Sequence, residues 1–294
     1  MLHDYLMIDA HLHLWEVQNG RVNGQPVVGV GNGKSNFGRE IRQMMMPCIV
    51  DNRNTIDKLL ANMDYAGVYG CVVTQEYIDG NQDDYLCLVR EKYPDRVRVC
   101  SLYEERDDFR TEGVDGIKIC AGRLENQDLR KHLYVFQKAE EAGKFISIDL
   151  ADGDSQVESL QWVIDRCPDL KIAIGHFGMV TTAGWQKQIA LAKNKNVYIE
   201  SGGLTWLFHK EFYPYPSAID AICEAGSICG FDKLMWGSDY PRTMTDITYI
   251  MATRFIIETE KLTDDQKAKF LGLNAAKFYG FENAQKMPKI GNML

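Results

Sequence analysis

Short runs of apolar, β-branched residues recur along the chain, each followed by a longer stretch whose apolar positions return at three- and four-residue steps. A run of the first kind fits a strand covered on both faces, and a stretch of the second fits a helix with one buried stripe. Residues 7–13, 70–75, 97–103, 116–121, 145–151, 172–176, 197–202 and 234–239 are the predicted strands, eight in all. Helical periodicity marks 55–66, 83–92, 129–142, 155–166, 184–192 and 216–225, and three closing helices are expected at 246–260, 263–271 and 274–279. Strands alternating with helices in this number predict a parallel (β/α)₈ TIM barrel of class α/β, which would use residues 1–294 as a single domain. An open doubly wound sheet alternates in the same way, but no GxGxxG or P-loop motif supports it.

One connection is out of proportion. From Trp15 to about Asn54 the chain carries Gly20, Gly24, Gly29, Gly31, Gly33, Gly38, Pro26 and Pro47 with little periodicity. Loops this long are usually functional or disordered. Placed directly after the first strand, it reads as a lid or pocket wall, with Met44, Met45 and Met46 either lining the pocket or packing the lid onto the barrel.

Composition narrows the class of partner. With 45% hydrophobic residues, 25% charged residues and a net charge of −8, the chain reads as globular, and no Lys/Arg cluster offers a phosphate-binding stripe, so nucleic acid is not expected. Near the N-terminus there is neither a signal-like segment nor a membrane span, which makes a cytoplasmic, membrane-free protein the expectation, with a homodimer as the default assembly. The eight cysteines lie singly, without a CxxC pair, and read as buried free thiols.

A barrel brings its strand ends to one mouth, so side chains far apart in sequence become neighbours there. His11-Leu12-His13 ends the first run, and alternation along a strand aims both imidazoles the same way. Two such imidazoles make half of a metal site, although paired strand histidines also serve as core or substrate-contacting groups. The other tips bring Lys118, Asp149, His176, Glu200 and Asp239. Lys118 sits among apolar residues, where a lysine is costly unless paired, and suits a substrate carboxylate or a modification that bridges metals. Gly175 and Gly178 flank His176 and let ligand or backbone approach closely. Asp149 reads equally as a ligand or a salt-bridge partner, and Glu200 is a weaker candidate for a site role. Arg123, Trp206 and Arg242 lie just past strand ends and are the substrate-binding candidates; the arginines favour an acidic substrate or product. Arg242 alternatively clamps its loop to a carboxylate. His3 and His132 read as surface residues, and His209 as surface or pocket rim. A serine or cysteine nucleophile is not supported, since no Gly-x-Ser-x-Gly elbow occurs and no cysteine sits beside an evident base.

As a set, Asp9-Ala10-His11-Leu12-His13-Leu14-Trp15, Gly175-His176-Phe177-Gly178, Gly237-Ser238-Asp239-Tyr240-Pro241 and Asn274-Ala275-Ala276-Lys277-Phe278-Tyr279 resemble the amidohydrolase superfamily, and within it the amidohydrolase-related (amidohydrolase 2) branch. The resemblance implies a barrel enzyme of one of two kinds. One comprises lactonases of sugar-acid or aromatic-breakdown lactones; the other, metal-dependent non-oxidative decarboxylases of aromatic or related acids. The His-x-His-x-Trp opening leans to the lactonases. By the same resemblance His11 and His13 would hold a single divalent ion, or bind substrate directly as in metal-free lactonases. Asp239 would be the acid/base, and His176 would orient or polarise substrate. There is one departure: many metal-binding members carry histidine at the tip of the fifth strand, where this chain has Asp149. Asp149 can supply oxygen instead, which makes His11, His13, Asp149 and Asp239 a shell for zinc or manganese; alternatively the site has lost its metal. The expectation is a hydrolase of a small carboxylated or polyhydroxylated lactone. Asp239 would serve as general base, with His176 and Lys118 as further catalytic groups, and decarboxylation is the alternative.

Overall fold

The computed structural model describes residues 4–291; His3 lies outside them. Eight parallel strands follow chain order around the barrel: β1 (Ile8–Leu12), β2 (Gly70–Val73), β3 (Val97–Leu102), β4 (Gly116–Cys120), β5 (Phe145–Asp149), β6 (Ile172–Ile174), β7 (Val197–Glu200) and β8 (Leu234–Met235). Register runs Ile8 to Gly70, Cys71 to Val97, Cys100 to Gly116, Phe145 to Gly116, Ile146 to Ile172, Ile172 to Val197 and Ile199 to Leu234. Closure comes past the end of β8. Ala10 N–H donates to Trp236 O at 2.9 Å, Asp239 N–H to His11 O at 2.9 Å, and His13 N–H to Tyr240 O at 2.8 Å. Strands buried on both faces explain the unbroken apolar runs that announced them.

The helices are α1 (Ile56–Ala66), α2 (Asp83–Lys92), α3 (Leu133–Glu141), α4 (Val157–Ile164), α5 (Trp185–Ala190) and α6 (Pro216–Cys229), followed after β8 by α7 (Met251–Glu258), α8 (Asp264–Ala268) and α9 (Asn274–Tyr279). α1 stops at Gly67, whose φ of 79° only glycine adopts freely. Thr263 and Gln266 form a capping box at the start of α8. Strand and helix ends are shorter than predicted: the chain leaves the ladder after Met235, and 129–132 is a 3₁₀ turn ahead of α3. Among the described residues no helix is long and apolar enough to cross a membrane.

At the N-terminal end, Phe145, Phe278, Tyr279 and Phe281 pack against Ile8, Val72, Cys100, Ala173 and Met235 and plug the barrel. The opposite end is left for polar groups. The segment after β1 is not structureless. It forms a hairpin (Arg21–Val22 with Gln25–Pro26) and a three-stranded antiparallel sheet (Val28–Gly29, Lys34–Asn36, Ile41–Gln43). Trp15 and Asn54 exchange backbone hydrogen bonds at 3.0 Å, and Asn54 Nδ2 donates to His13 O at 2.6 Å. Gly20 rests so close to the Tyr77 and Ile78 carbonyls that a Cβ would come within 2.1 and 2.2 Å of their oxygens. Met45 is buried, Met44 lines the cavity and Met46 packs on the main core. All eight cysteines are free; Cys71, Cys100, Cys120 and Cys167 are buried, Cys87, Cys223 and Cys229 half-buried. Against expectation, Cys48 is exposed, because it belongs to this added segment rather than to the barrel.

Candidate active site

Three glycines make room for the polar floor. A Cβ on Gly175 would fall 2.1 Å from Asp149 Oδ1, one on Gly202 2.8 Å from His11 Cγ, and one on Gly237 2.8 Å from His11 Cβ. Without those side chains the tips of β1, β5, β6, β7 and β8 close on one another.

His11 and His13 are fully buried with ring centroids 5.0 Å apart. His11 Nδ1–H donates to Glu200 Oε1 at 2.6 Å, and Glu200 is itself fixed by Gly202 N–H at 2.6 Å. Nε2 of His11 is left buried without a partner. Burial lowers the His11 pKa, with Glu200 opposing and Lys118 reinforcing the shift. His13 Nε2 lies 3.0 Å from Asp239 Oδ1, and since a carboxylate only accepts, that nitrogen carries the hydrogen. The other oxygen, Asp239 Oδ2, accepts from Trp206 Nε1 at 2.8 Å. Burial would raise Asp239, but the His13 hydrogen bond and the charges of His13 and Arg242 hold it well below the usual carboxylate range.

Across the floor, Lys118 is completely enclosed and forms an ion pair with Asp149 Oδ1 at 2.6 Å. Burial opposes charge on both, yet the pairing wins: Asp149 is held low and Lys118 high. His176 Nδ1–H donates to Gly202 O at 2.9 Å while Nε2 stands 3.5 Å from Asp149 Oδ2. Burial alone would lower His176; the Asp149 charge outweighs it and pushes the imidazolium up to about 10. The backbone here is unusual. His176, Phe177, Gly178 and Met179 take φ of 53°, 51°, 64° and 53°, a left-handed turn that only one glycine eases.

Arg242 meets Asp79 through one guanidinium nitrogen at 2.9 and 3.1 Å and Glu76 at 3.5 Å, while its Nε and NH1 have no partner. Burial would raise Glu76, but Arg242 and His13 hold it at about 2. Asp9 accepts from Ser238 N–H at 2.8 Å, Ser238 Oγ–H at 2.5 Å and Tyr249 O–H at 2.7 Å, stapling β1 to the loop that carries Asp239. Burial pushes its carboxyl up to about 6 against those bonds.

Above this floor lies a cavity of about 1510 Å³, walled by the 19–24 hairpin, Arg42–Met44 and the loops after β2 and β4. The structure therefore brings together His11, His13, Asp149, His176, Trp206, Asp239 and Arg242. Arg123 is exposed on the cavity wall and makes no ion pair among the described residues. Lys118 stands beneath Asp149 rather than on the wall. Glu76, Asp79 and Asp9 were missed by sequence reasoning, although Glu76 lies just past a predicted strand end like the others; Glu200, ranked low, supports His11. His132 is not a surface residue: it is buried between Tyr103 O–H, 3.0 Å from Nδ1, and Asn126 O, 2.8 Å from Nε2. His209 is half exposed, 3.6 Å from Asp246.

One nitrogen or carboxylate oxygen from each of His11, His13 and Asp239 lies within 4.8 Å of the others, and the same holds for His11, Asp149 and His176. The orphaned Nε2 of His11, with imidazole and carboxylate donors around it, fits a divalent cation. Lys118 already neutralises Asp149, so His11, His13 and Asp239 are the better set.

The sequence profile of the family described as amidohydrolase matches residues 8–281. No curated protein matches the sequence. Among solved structures, a putative 2-pyrone-4,6-dicarboxylic acid hydrolase from Pseudomonas putida superposes with a TM-score of 0.68 at 20% identity, covering 95% of this chain and 98% of that one. An amidohydrolase from Burkholderia multivorans with bound zinc gives 0.64 at 16% identity, with 94% and 99% covered. A 5-carboxyvanillate decarboxylase from Novosphingobium aromaticivorans, complexed with manganese and 4-hydroxy-3-methoxy-5-nitrobenzoic acid, gives 0.60 at 16% identity, with 95% and 97% covered. At such identities the superpositions speak for the fold.

Proposed function

This chain belongs to the amidohydrolase family, and from that premise we propose that it is a cation-assisted hydrolase that opens a small carboxylated or polyhydroxylated lactone. The observation that carries this reading is the pairing, on one cavity floor, of a carboxylate held ionised, Asp239, with a histidine held protonated, His176. An ionised carboxylate accepts the proton of an attacking water, and an imidazolium donates toward the oxygen on which negative charge develops.

Water attacks the ring carbonyl carbon as Asp239 takes its proton. His176 Nε2–H supports the oxyanion, the ring C–O bond breaks, and the proton on Asp239 passes to the departing alkoxide. Arg242, which lines the cavity, binds a substrate carboxylate, and Arg123 on the wall takes a second anionic group. Lys118 keeps Asp149 ionised under His176, so it acts through its partner. The donors favour zinc or manganese held by His11, His13 and Asp239, which when bound would polarise a carbonyl and acidify water.

Decarboxylation is the second reading, since a family likeness to both chemistries exists. It requires a proton delivered to carbon, which His176 would supply, but it leaves the ionised Asp239 without a water to accept from; hydrolysis uses both groups and is better served. The test is a panel of carboxylated lactones and aromatic acids assayed in parallel for acid release and for CO₂. Acid release on lactones is expected; CO₂ from the acids with inert lactones overturns the reading.

A further inference from the structure

Two histidines leave β1 side by side, and each keeps one buried nitrogen without a partner. Glu200 takes the Nδ1 hydrogen of His11 at 2.6 Å, which leaves the Nε2 lone pair bare and facing inward. A histidine that binds a cation through one nitrogen is ordinarily fixed by an acceptor on the other. His13 lacks that second contact: Nε2 is turned to Asp239 at 3.0 Å and Nδ1 is buried without a partner. The nearest carboxylate to Nδ1 is Asp79, whose Oδ2 stands 3.9 Å away.

Asp79 is held in that position from the far side. It is 2% exposed, Gln18 Nε2–H donates to Oδ1 at 3.1 Å, and Arg242 donates to both oxygens at 3.1 and 2.9 Å. Gln18 in turn accepts from the fully buried Ser35 Oγ–H at 2.5 Å. Gln18 and Ser35 both belong to the segment inserted after β1, so the insertion reaches Asp79 through two buried side chains. His13 Nε2 also lies 3.8 Å from Glu76, which Arg242 restrains as well.

We propose that Asp79 is the positioning acceptor of His13. In the cation-bound protein the neutral ring presents its Nε2 lone pair to the ion, carries its single hydrogen on Nδ1, and donates it to Asp79. The proton leaves Nε2 to solvent and one is regained at Nδ1, so the ring charge is unchanged. Asp79 Oδ2 has to approach by about 1 Å to reach hydrogen-bond distance. The inference rests on the cation reading above and adds to it the residue, outside the ligand set, that sets the second histidine.

Two measurements on the full chain test it. Zn²⁺ affinity, read by competition with a chromophoric chelator, is expected to weaken about 10–100-fold in Asp79→Leu and to recover most of that loss in Asp79→Asn, which keeps an acceptor oxygen. In ¹⁵N-histidine-labelled wild type, Zn²⁺ is expected to move the His13 hydrogen from Nε2 to Nδ1, the signal being assigned by its absence in His13→Gln; this decides the matter if Asp79→Leu does not fold. Unchanged Zn²⁺ affinity in folded Asp79→Leu, or a saturated wild type that retains Nε2–H on His13, overturns the role of Asp79 and leaves the cation reading intact. A wild type that takes up no Zn²⁺ overturns both.

Discussion

At the N-terminal end of the barrel Phe145 packs edge-on against Tyr279, with ring centroids 4.8 Å apart, and Phe278 and Phe281 complete a buried apolar plug. At the C-terminal end the same strands finish in His11, His13, Asp149, Glu200 and Asp239, each hydrogen-bonded or ion-paired to another polar side chain. Dispersion and exclusion of water hold the first end together, and neither is directional. The second depends on contacts that fail once a partner is lost, because a buried polar group left alone is costly. Stability should therefore be concentrated at one end and turnover at the other.

The sharpest way to separate the ends is Asp239→Asn. It keeps the shape while removing the proposed base, so kcat/KM is expected to fall about 10²–10⁴-fold with Tm nearly unchanged; turnover within a few-fold of wild type sinks the assignment. Phe278→Ala tests the opposite end. A loss of about 3–5 kcal/mol in unfolding free energy is expected from the vacated ring, with kcat/KM per folded molecule unaffected, as urea titration and active-enzyme counts would show. Lys118→Met probes a residue that belongs to both ends, a buried charge among strands. It strands Asp149, so a loss of about 3–5 kcal/mol is expected, accompanied by loss of the alkaline limb described next.

A subtler separation comes from pH. His176 is raised from its ordinary 6.5 to about 10, so the protonated donor persists through neutrality, and kcat/KM is expected to decline only as pH climbs through about 10. The stability it contributes follows the same sign: fully present below 6.5, lost as pH rises through the folded value. His176→Asn should abolish that limb, and a limb that survives in the variant would assign it to another group.

Much of the barrel was legible because enclosed parallel strands must be apolar throughout, and runs such as 145–149 and 197–200 stand out against the helices between them. His11, His13, His176 and Asp239 were legible as polar residues at the ends of such runs. Pairings were not. That Glu200 serves His11 across 189 residues, or that Asp79 faces His13, depends on barrel closure, which local pattern does not encode. The strands of the insertion, two or three residues each, are shorter than any period that alternation could reveal. His132 was misread for a related reason: its acceptor and donor come from Asn126 and Tyr103, and nothing beside it in sequence marks it as enclosed.

The left-handed turn that carries His176 sets stability against activity within a single loop. Three of its four residues bear side chains in a conformation that costs L-amino acids roughly 1–2 kcal/mol each, and the turn persists because Phe177 is sunk between Trp185 and Phe270. Met179→Gly relieves part of that strain and should raise Tm. It also frees the turn to unwind, so a drop in kcat is expected with it. Sequences selected for thermal robustness alone would drift toward glycine at 179, and those selected for turnover would resist it.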